Sequence, residues 1–238
     1  MFVNLGLDST NLTRGSSLTG LGQILISYFQ YRADCLNNHV KLFLMDKKKA
    51  KKMFKRLKKR LEPTCPLPMN KQKGDKKDYM YFTGIVNMLI ESNAAGIECD
   101  YSPKELTAFT KNGFPARSMS RRIDGAFPNV VNPIAIWEIK EYYNTTTFGS
   151  RVADGVYETQ LDGYEVAEVV RSLGISVKHY LMIDDYFTWW VKGRSYLCRV
   201  CDLLHMGFVT EVIFGAEVLK RIPELVNDWK KELQGRNR

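Results

Sequence analysis

The chain has 238 residues, with 35 Lys and Arg against 26 Asp and Glu, for a formal net charge of +9. Its 45% hydrophobic and 26% charged residues can bury one large core or two small ones; this excludes a wholly disordered chain, a collagen-like chain and a polytopic membrane protein. A basic balance points to a polyanionic partner. The charge is local, however: residues 47–60 carry ten Lys and Arg and no acid, and +9 less these ten leaves −1 for the rest.

No basic segment followed by an apolar stretch opens the chain, so no secretory signal is expected. Residues 18–29 are interrupted by Gly20, Gly22, Gln23 and Ser27 and are too short and polar to span a bilayer. Five cysteines, an odd number without framework spacing, fit a reducing cytoplasm. In chain order the patterning predicts a helix over 18–36, then a basic helix over 47–60. In the second, Ala50, Met53, Phe54, Leu57 and Leu61 form one apolar stripe, and Pro63, Pro66 and Pro68 end it. Residues 69–78 read as an exposed loop. A nearly continuous apolar run predicts a buried helix over 79–93, closed near Gly96, with a short helix after Ser102.

Two strands follow, over 117–126 and 133–143, joined by a turn at Pro128 and Asn129. A helix over 150–172, a strand over 177–184, a helix over 192–206, a strand over 208–214 and a helix over 216–234 complete the chain. This order predicts an α/β fold with a mixed central sheet flanked by helices. A helical, basic accessory region over 1–78 would precede a second domain over 79–238.

The segment Ile134-Ala-Ile-Trp-Glu-Ile-Lys140 is the most informative. Strand alternation puts Ile134, Ile136, Glu138 and Lys140 on one face and Ala135, Trp137 and Ile139 on the other. Both faces are apolar, as in a central strand covered on both sides. Glu138 and Lys140 would be partly desolvated there, at a cost of roughly several kcal/mol per unpaired charge; a buried ion pair is the simple explanation. The preceding strand supplies Asp124 in Arg121-Arg-Ile-Asp-Gly125. On neighbouring strands Asp124 and Glu138 can face one spot, where their repulsion favours a hard cation such as Mg²⁺. Lys140 would stand beside the attacking water, an arrangement suited to phosphodiester hydrolysis.

Ile123-Asp124-Gly125 followed by Glu138-Ile139-Lys140 resembles the PD-(D/E)XK nuclease superfamily of restriction endonucleases and RecB-type nucleases, although no proline precedes Asp124. The resemblance implies a restriction-endonuclease-like core and Mg²⁺ at Asp124, Glu138 and the Ile139 carbonyl, with Mn²⁺ able to substitute. It also implies hydrolysis of double-stranded DNA by a type II restriction enzyme acting as a homodimer, with a cognate DNA methyltransferase as a further partner. Glu91, the sole charge in the buried helix, looks like the helical glutamate that joins this metal site; a solvated helix end is the alternative. Gln160-Leu-Asp-Gly-Tyr164 is similar to the Gln-x-x-x-Tyr element of RecB-type nucleases. The stripe Ala153, Val156, Tyr157, Gln160, Tyr164 and Ala167 would turn Gln160 inward, toward the active site, a phosphate or a backbone partner. A RecB-like exonuclease or repair nuclease and a non-catalytic nucleic-acid-binding module are the competing readings.

For DNA contact the candidates are Lys47, Lys48, Lys51, Lys52, Lys55, Arg56, Lys58 and Lys59 of the basic helix, with Tyr164 and Arg151. Ten uncompensated cations repel one another, and a nucleic-acid backbone relieves this more readily than anionic lipid would if a nuclease site lies downstream. Arg151 follows Thr145, Thr146, Thr147 and Ser150, which could bind phosphate at a helix start or cap it. Cys198, Cys201 and His205 share a helical face but lack a fourth ligand, so core packing is expected and no structural zinc. Asp184 and Asp185 read as a strand-end turn. Tyr186, Trp189 and Trp190 read as packing rather than base stacking.

Overall fold

The structure, a computed structural model, describes residues 8–72, 75–143 and 149–236. The chain divides into two compact units, Met1–Leu42 and Phe43–Arg238. In the first, β1 (Thr13–Arg14) and β2 (Ser17–Leu18) pair antiparallel and lead into α1 (Gly20–Cys35). The Thr19 hydroxyl caps α1 by accepting from the Gly22 amide at 3.1 Å. A π-helical turn, Leu36–Val40, continues into the single turn α2 (Lys41–Phe43).

The larger unit opens with the basic helix α3 (Lys47–Leu61). Asp46 caps it by accepting from the Lys49 amide at 2.8 Å, and Ala50, Phe54 and Leu57 form its buried stripe. The helix belongs to this unit's core, against the division near residue 78 expected from the sequence. Its start is fastened to the sheet, because Met45 N donates to Asp184 Oδ1 at 2.7 Å and Tyr186 N to Met45 O at 2.8 Å. Where an exposed loop was expected, β3 (Met69–Gln72) and β4 (Asp75–Tyr79) form an antiparallel pair. The buried helix α4 (Tyr81–Ala94) follows, then β5 (Asp100–Tyr101). The short helix expected directly after Ser102 does not form.

The next segment also departs from expectation. Instead of one strand over 117–126 there is a hairpin, β6 (Ala108–Lys111) and β7 (Phe114–Ser118), then an irregular stretch, then β8 (Gly125–Phe127). Asn112 and Gly113 turn this hairpin with φ of +53° and +81°. The remaining elements fall close to their predicted places: β9 (Ala135–Glu141), α5 (Ser150–Leu173), β10 (Lys178–Asp184), α6 (Arg194–His205), β11 (Glu211–Phe214) and α7 (Val218–Arg236). A π-helical turn, Tyr186–Lys192, precedes α6. Asp185 caps this turn, and Trp189 and Trp190 are buried in it, as packing predicts.

The central sheet is five-stranded and mixed, in the order β11-β10-β9-β8-β5. β9, β10 and β11 run parallel, while β8 is antiparallel to both β9 and β5. β9 is covered on both faces. Ala135, Trp137 and Ile139 join the core built by α3, α4 and α7, where Trp137 stacks on Trp229 with ring centroids 5.8 Å apart. Ile134, just before the strand, sides with this core rather than with Ile136. Ile136 packs with Phe109, Met119, Ile123, Val166 and Val169 beneath α5. Among the described residues no helix is long and apolar enough to cross a membrane.

Candidate active site

Alternation along β9 sends Glu138 and Lys140 to the α5 side of the sheet. Glu138 is 1% exposed, a position where a lone carboxylate would be strongly unfavourable. Two cations make it tenable, each shared with a further carboxylate. Lys140 Nζ donates to Glu138 Oε2 at 3.0 Å and to Glu158 Oε2 at 2.9 Å. The Arg121 guanidinium spans both Glu138 oxygens, at 3.0 and 3.2 Å, and donates to Asp162 Oδ2 at 2.5 Å. Glu158 and Asp162 sit four residues apart on α5 and so share a face. Gly155, one turn earlier, lets the helix come close: a Cβ there would lie 2.9 Å from Tyr142 Oη and 3.2 Å from Lys140 Cδ.

Asp124 ends the irregular stretch before β8. Its amide donates to Trp137 O at 3.2 Å and its Oδ2 accepts from the Ile139 amide at 2.7 Å, so the carboxylate is clamped across the start of the β8–β9 pairing. Gly125 is required beside it, because a Cβ there would lie 2.2 Å from the Trp137 indole. Burial, then the neighbouring Glu138 carboxylate, push the Asp124 carboxyl above its ordinary range. Burial also opposes ionisation of Glu138, but Lys140 and Arg121 outweigh it and hold that carboxyl low. Burial likewise disfavours the Lys140 ammonium, and Glu138 and Asp124 more than restore it.

Four carboxylates, Asp124, Glu138, Glu158 and Asp162, thus face two cations. Burial pushes the Asp162 carboxyl up to about 7 against the pull of Arg121, and its second oxygen, Oδ1, is buried without a hydrogen-bond partner. The orphaned oxygen belongs to Asp162, while both Glu138 oxygens are engaged by Arg121 and Lys140. Among the described residues no group of three or more His, Cys, Asp or Glu is set to hold a metal ion.

Glu91 is not brought to this site. It lies on α4, in the core layer behind Trp137, and its carboxylate accepts from the Thr64 amide at 3.1 and 3.2 Å and from the Thr64 hydroxyl. Gln160 is also displaced. The inward stripe of α5 is Val152, Val156, Thr159, Asp162 and Val166, which leaves Gln160 partly buried and Tyr164 53% exposed against Phe208. Glu158 and Asp162 take the place expected for Gln160. The α5 residues with apolar bulk on both sides gave two usable helical phases, and Tyr157 and Tyr164 favoured the wrong one.

Arg151 is exposed, and its carbonyl accepts from Tyr142 Oη at 3.0 Å. Gly149, not Ser150, is the α5 N-cap; Thr145, Thr146 and Thr147 lie outside the described residues. On α3, Lys48, Lys51, Lys52, Lys55, Arg56, Lys58 and Lys59 are exposed, whereas Lys47 pairs with Asp78 at 3.0 Å. All of them sit in the α4 layer, away from the face that carries Glu138 and Lys140. Of the four carboxylates Asp124 alone borders a cleft of about 550 Å³, lined also by Ser102, Lys104, Ser120, Arg121 and Arg122, among others.

The fold and this buried ionic cluster define an α/β protein with a mixed sheet whose central strand carries paired charges. The family described as "Domain of unknown function (DUF7687)" matches residues 45–229, and the chain belongs to it. No curated protein and no solved structure matches the chain.

Proposed function

We propose that this protein is a Mg²⁺-dependent DNA endonuclease of the PD-(D/E)XK type, with a restriction-endonuclease-like core and type II restriction as its finer assignment. The observation that carries this reading is the convergence of Asp124, Glu138 and Lys140 at the β8–β9 pairing, with Asp124 Oδ2 2.7 Å from the Ile139 amide and Lys140 Nζ 3.0 Å from Glu138. Asp124, Glu138 and the Ile139 carbonyl are the groups to hold Mg²⁺. A bound Mg²⁺ would polarise the scissile phosphate and acidify the attacking water.

The Glu138 and Asp124 carboxylates favour the Lys140 ammonium against its burial. Its part is to orient the water and to stabilise charge developing on the phosphate. Arg121 pairs with the Glu138 end of this pair and Glu158 with the Lys140 end. Cutting both strands of a palindrome implies a homodimer.

The second reading, a non-catalytic nucleic-acid-binding module, draws on the engagement of both Glu138 oxygens by Arg121 and Lys140. A supercoiled plasmid incubated with Mg²⁺ or Mn²⁺ separates the two. Discrete fragments support the restriction assignment, a smear a less specific nuclease, and an intact closed circle with degraded linear DNA an exonuclease. Cleavage at the wild-type rate by Asp124→Ala or Lys140→Ala would remove these residues from the chemistry. Binding without cleavage in either metal would leave the module.

A further inference from the structure

The candidate site opens onto a cleft whose composition is unlike that of the ionic cluster beneath it. Asp124 closes one side. The other lining groups with charge are Lys104, Arg121 and Arg122, and Ser102 and Ser120 add polar groups. Arg121 is committed inward, to Glu138 and Asp162. Lys104 and Arg122 are exposed and have no ion-pair partner among the described residues. Two unpaired cations and two serines therefore flank the carboxylate that borders the candidate chemistry.

The walls of this cleft are held firmly. Ser102 adopts the left-handed region, φ +59°, and its amide donates to Asp124 O at 2.8 Å. A non-glycine residue there is strained by about 1 kcal/mol or more, so the surrounding bonds must impose it. The Ser120 amide is fixed by both oxygens of Glu165, each at 3.1 Å. Met119 and Ile123, on either side of the three polar residues 120–122, are buried in the core under α5. The chain between β7 and β8 is thus pinned at both ends, and it presents Arg122 outward while Arg121 turns in.

We infer that this cleft is a polynucleotide backbone site, in which Lys104 and Arg122 bind successive phosphates and deliver the strand to Asp124. The inference rests on the nuclease reading for its last clause only. It assigns the substrate path to the β5–β8 side of the sheet, apart from the basic helix α3. Lys and Arg contacts to phosphate release counterions, so each contributes close to one unit to the slope of log affinity against log salt.

The test is binding of a duplex of about 30 base pairs by Lys104→Ala/Arg122→Ala, followed in EDTA and in Ca²⁺ across a salt series. The expected result is binding weakened on the order of tenfold, with a slope shallower by about two. The charge-reversed pair Lys104→Glu/Arg122→Glu should weaken it further, and both variants should melt with the wild type, since neither side chain is in the core. An unchanged slope and affinity would overturn the inference, as would the absence of salt-dependent binding by the wild type. A Mg²⁺ cleavage assay in parallel distinguishes the two ideas. Wild type that never cuts, with binding lost in the variants, sinks the hydrolysis and keeps the cleft. Wild type that cuts, with variants that bind and cut equally well, does the opposite.

Discussion

Arg121 Nη1 donates to Asp162 Oδ2 at 2.5 Å, while the other oxygen of this fully buried carboxylate has no partner. One guanidinium, itself 24% exposed, therefore compensates two carboxylates on different elements, Asp162 of α5 and Glu138 of β9. It ties helix to sheet at the site. Removing it takes the cation from Asp162 and leaves Glu138 with Lys140 alone. Arg121→Ala is expected to lower stability by about 3 kcal/mol, the range for breaking a buried pair from one side. Asp162→Asn should cost much less, because it removes a charge that burial already disfavours. Urea denaturation of both variants checks the order.

Gly125 and Trp137 are paired across β8 and β9, and a methyl at Gly125 would overlap the indole. Gly125→Ala should destabilise by about 1–3 kcal/mol through overpacking. In a double-mutant cycle with Trp137→Leu, the combined loss should be smaller than the sum of the single losses. A purely additive result would mean that the glycine is needed for another reason.

Asp184 is 0% exposed and accepts from Met45 N, Asp185 N and the Tyr143 hydroxyl. Burial nonetheless pushes its carboxyl up to about 7, against about 3.9 in an unfolded chain. The folded state binds this proton more tightly, so the stabilisation is fully present below about pH 4 and is lost as pH rises through about 7. Between pH 5 and 8 the wild type should lose stability relative to Asp184→Asn, by at most about 1.4 kcal/mol per pH unit. Denaturation midpoints of the two proteins at pH 5, 6.5 and 8 measure this.

Phe54 is 2% exposed and packs its ring 4.9 Å from Tyr79 and 5.5 Å from Tyr81. Phe54→Ala should cost about 3–5 kcal/mol, the range for deleting a core aromatic. Loss of under 1 kcal/mol would return α3 to the status of a detachable arm. By contrast, replacing Lys48, Lys52, Lys55, Arg56 and Lys59 with Gln should leave stability intact. DNA binding should fall far less than in Lys104→Ala/Arg122→Ala, because these exposed side chains lie in the α4 layer, away from the cleft.

The helices and parallel strands were readable because each rests on a long one-sided or continuous apolar pattern, as in α3, α4 and β10. Asp124, Glu138 and Lys140 were readable too, since strand alternation and a short connection suffice to place them. The β3–β4 pair was not, nor were three features nearer the site. The hairpin β6–β7 escaped despite its Asn112-Gly113 turn, because its strands are short and mostly exposed and show little apolar alternation. Glu158 and Asp162 depend on the rotation of α5, which Gly155 and Gly163 decide by close approach to Lys140 and Phe208. Glycines carry no hydrophobic signal, so the phase was set by the tyrosines instead. Glu91 was misplaced because its helix lies behind the sheet, which only the packing of α4 on α7 and Trp137 reveals.

The hairpin β6–β7 has a consequence for how the family can diverge. Its base is locked: Phe109 is fully buried, and the Asn132 side chain brackets Thr110, accepting from its amide at 2.9 Å and donating to its hydroxyl at 2.6 Å. Its tip is unencumbered, with Phe114 74% exposed. Its two ends run into Leu106 and Ser120, which line the cleft. Replacing or lengthening residues 112–114 should therefore leave folding untouched, because the locked base and not the tip carries the hairpin's hold on the body.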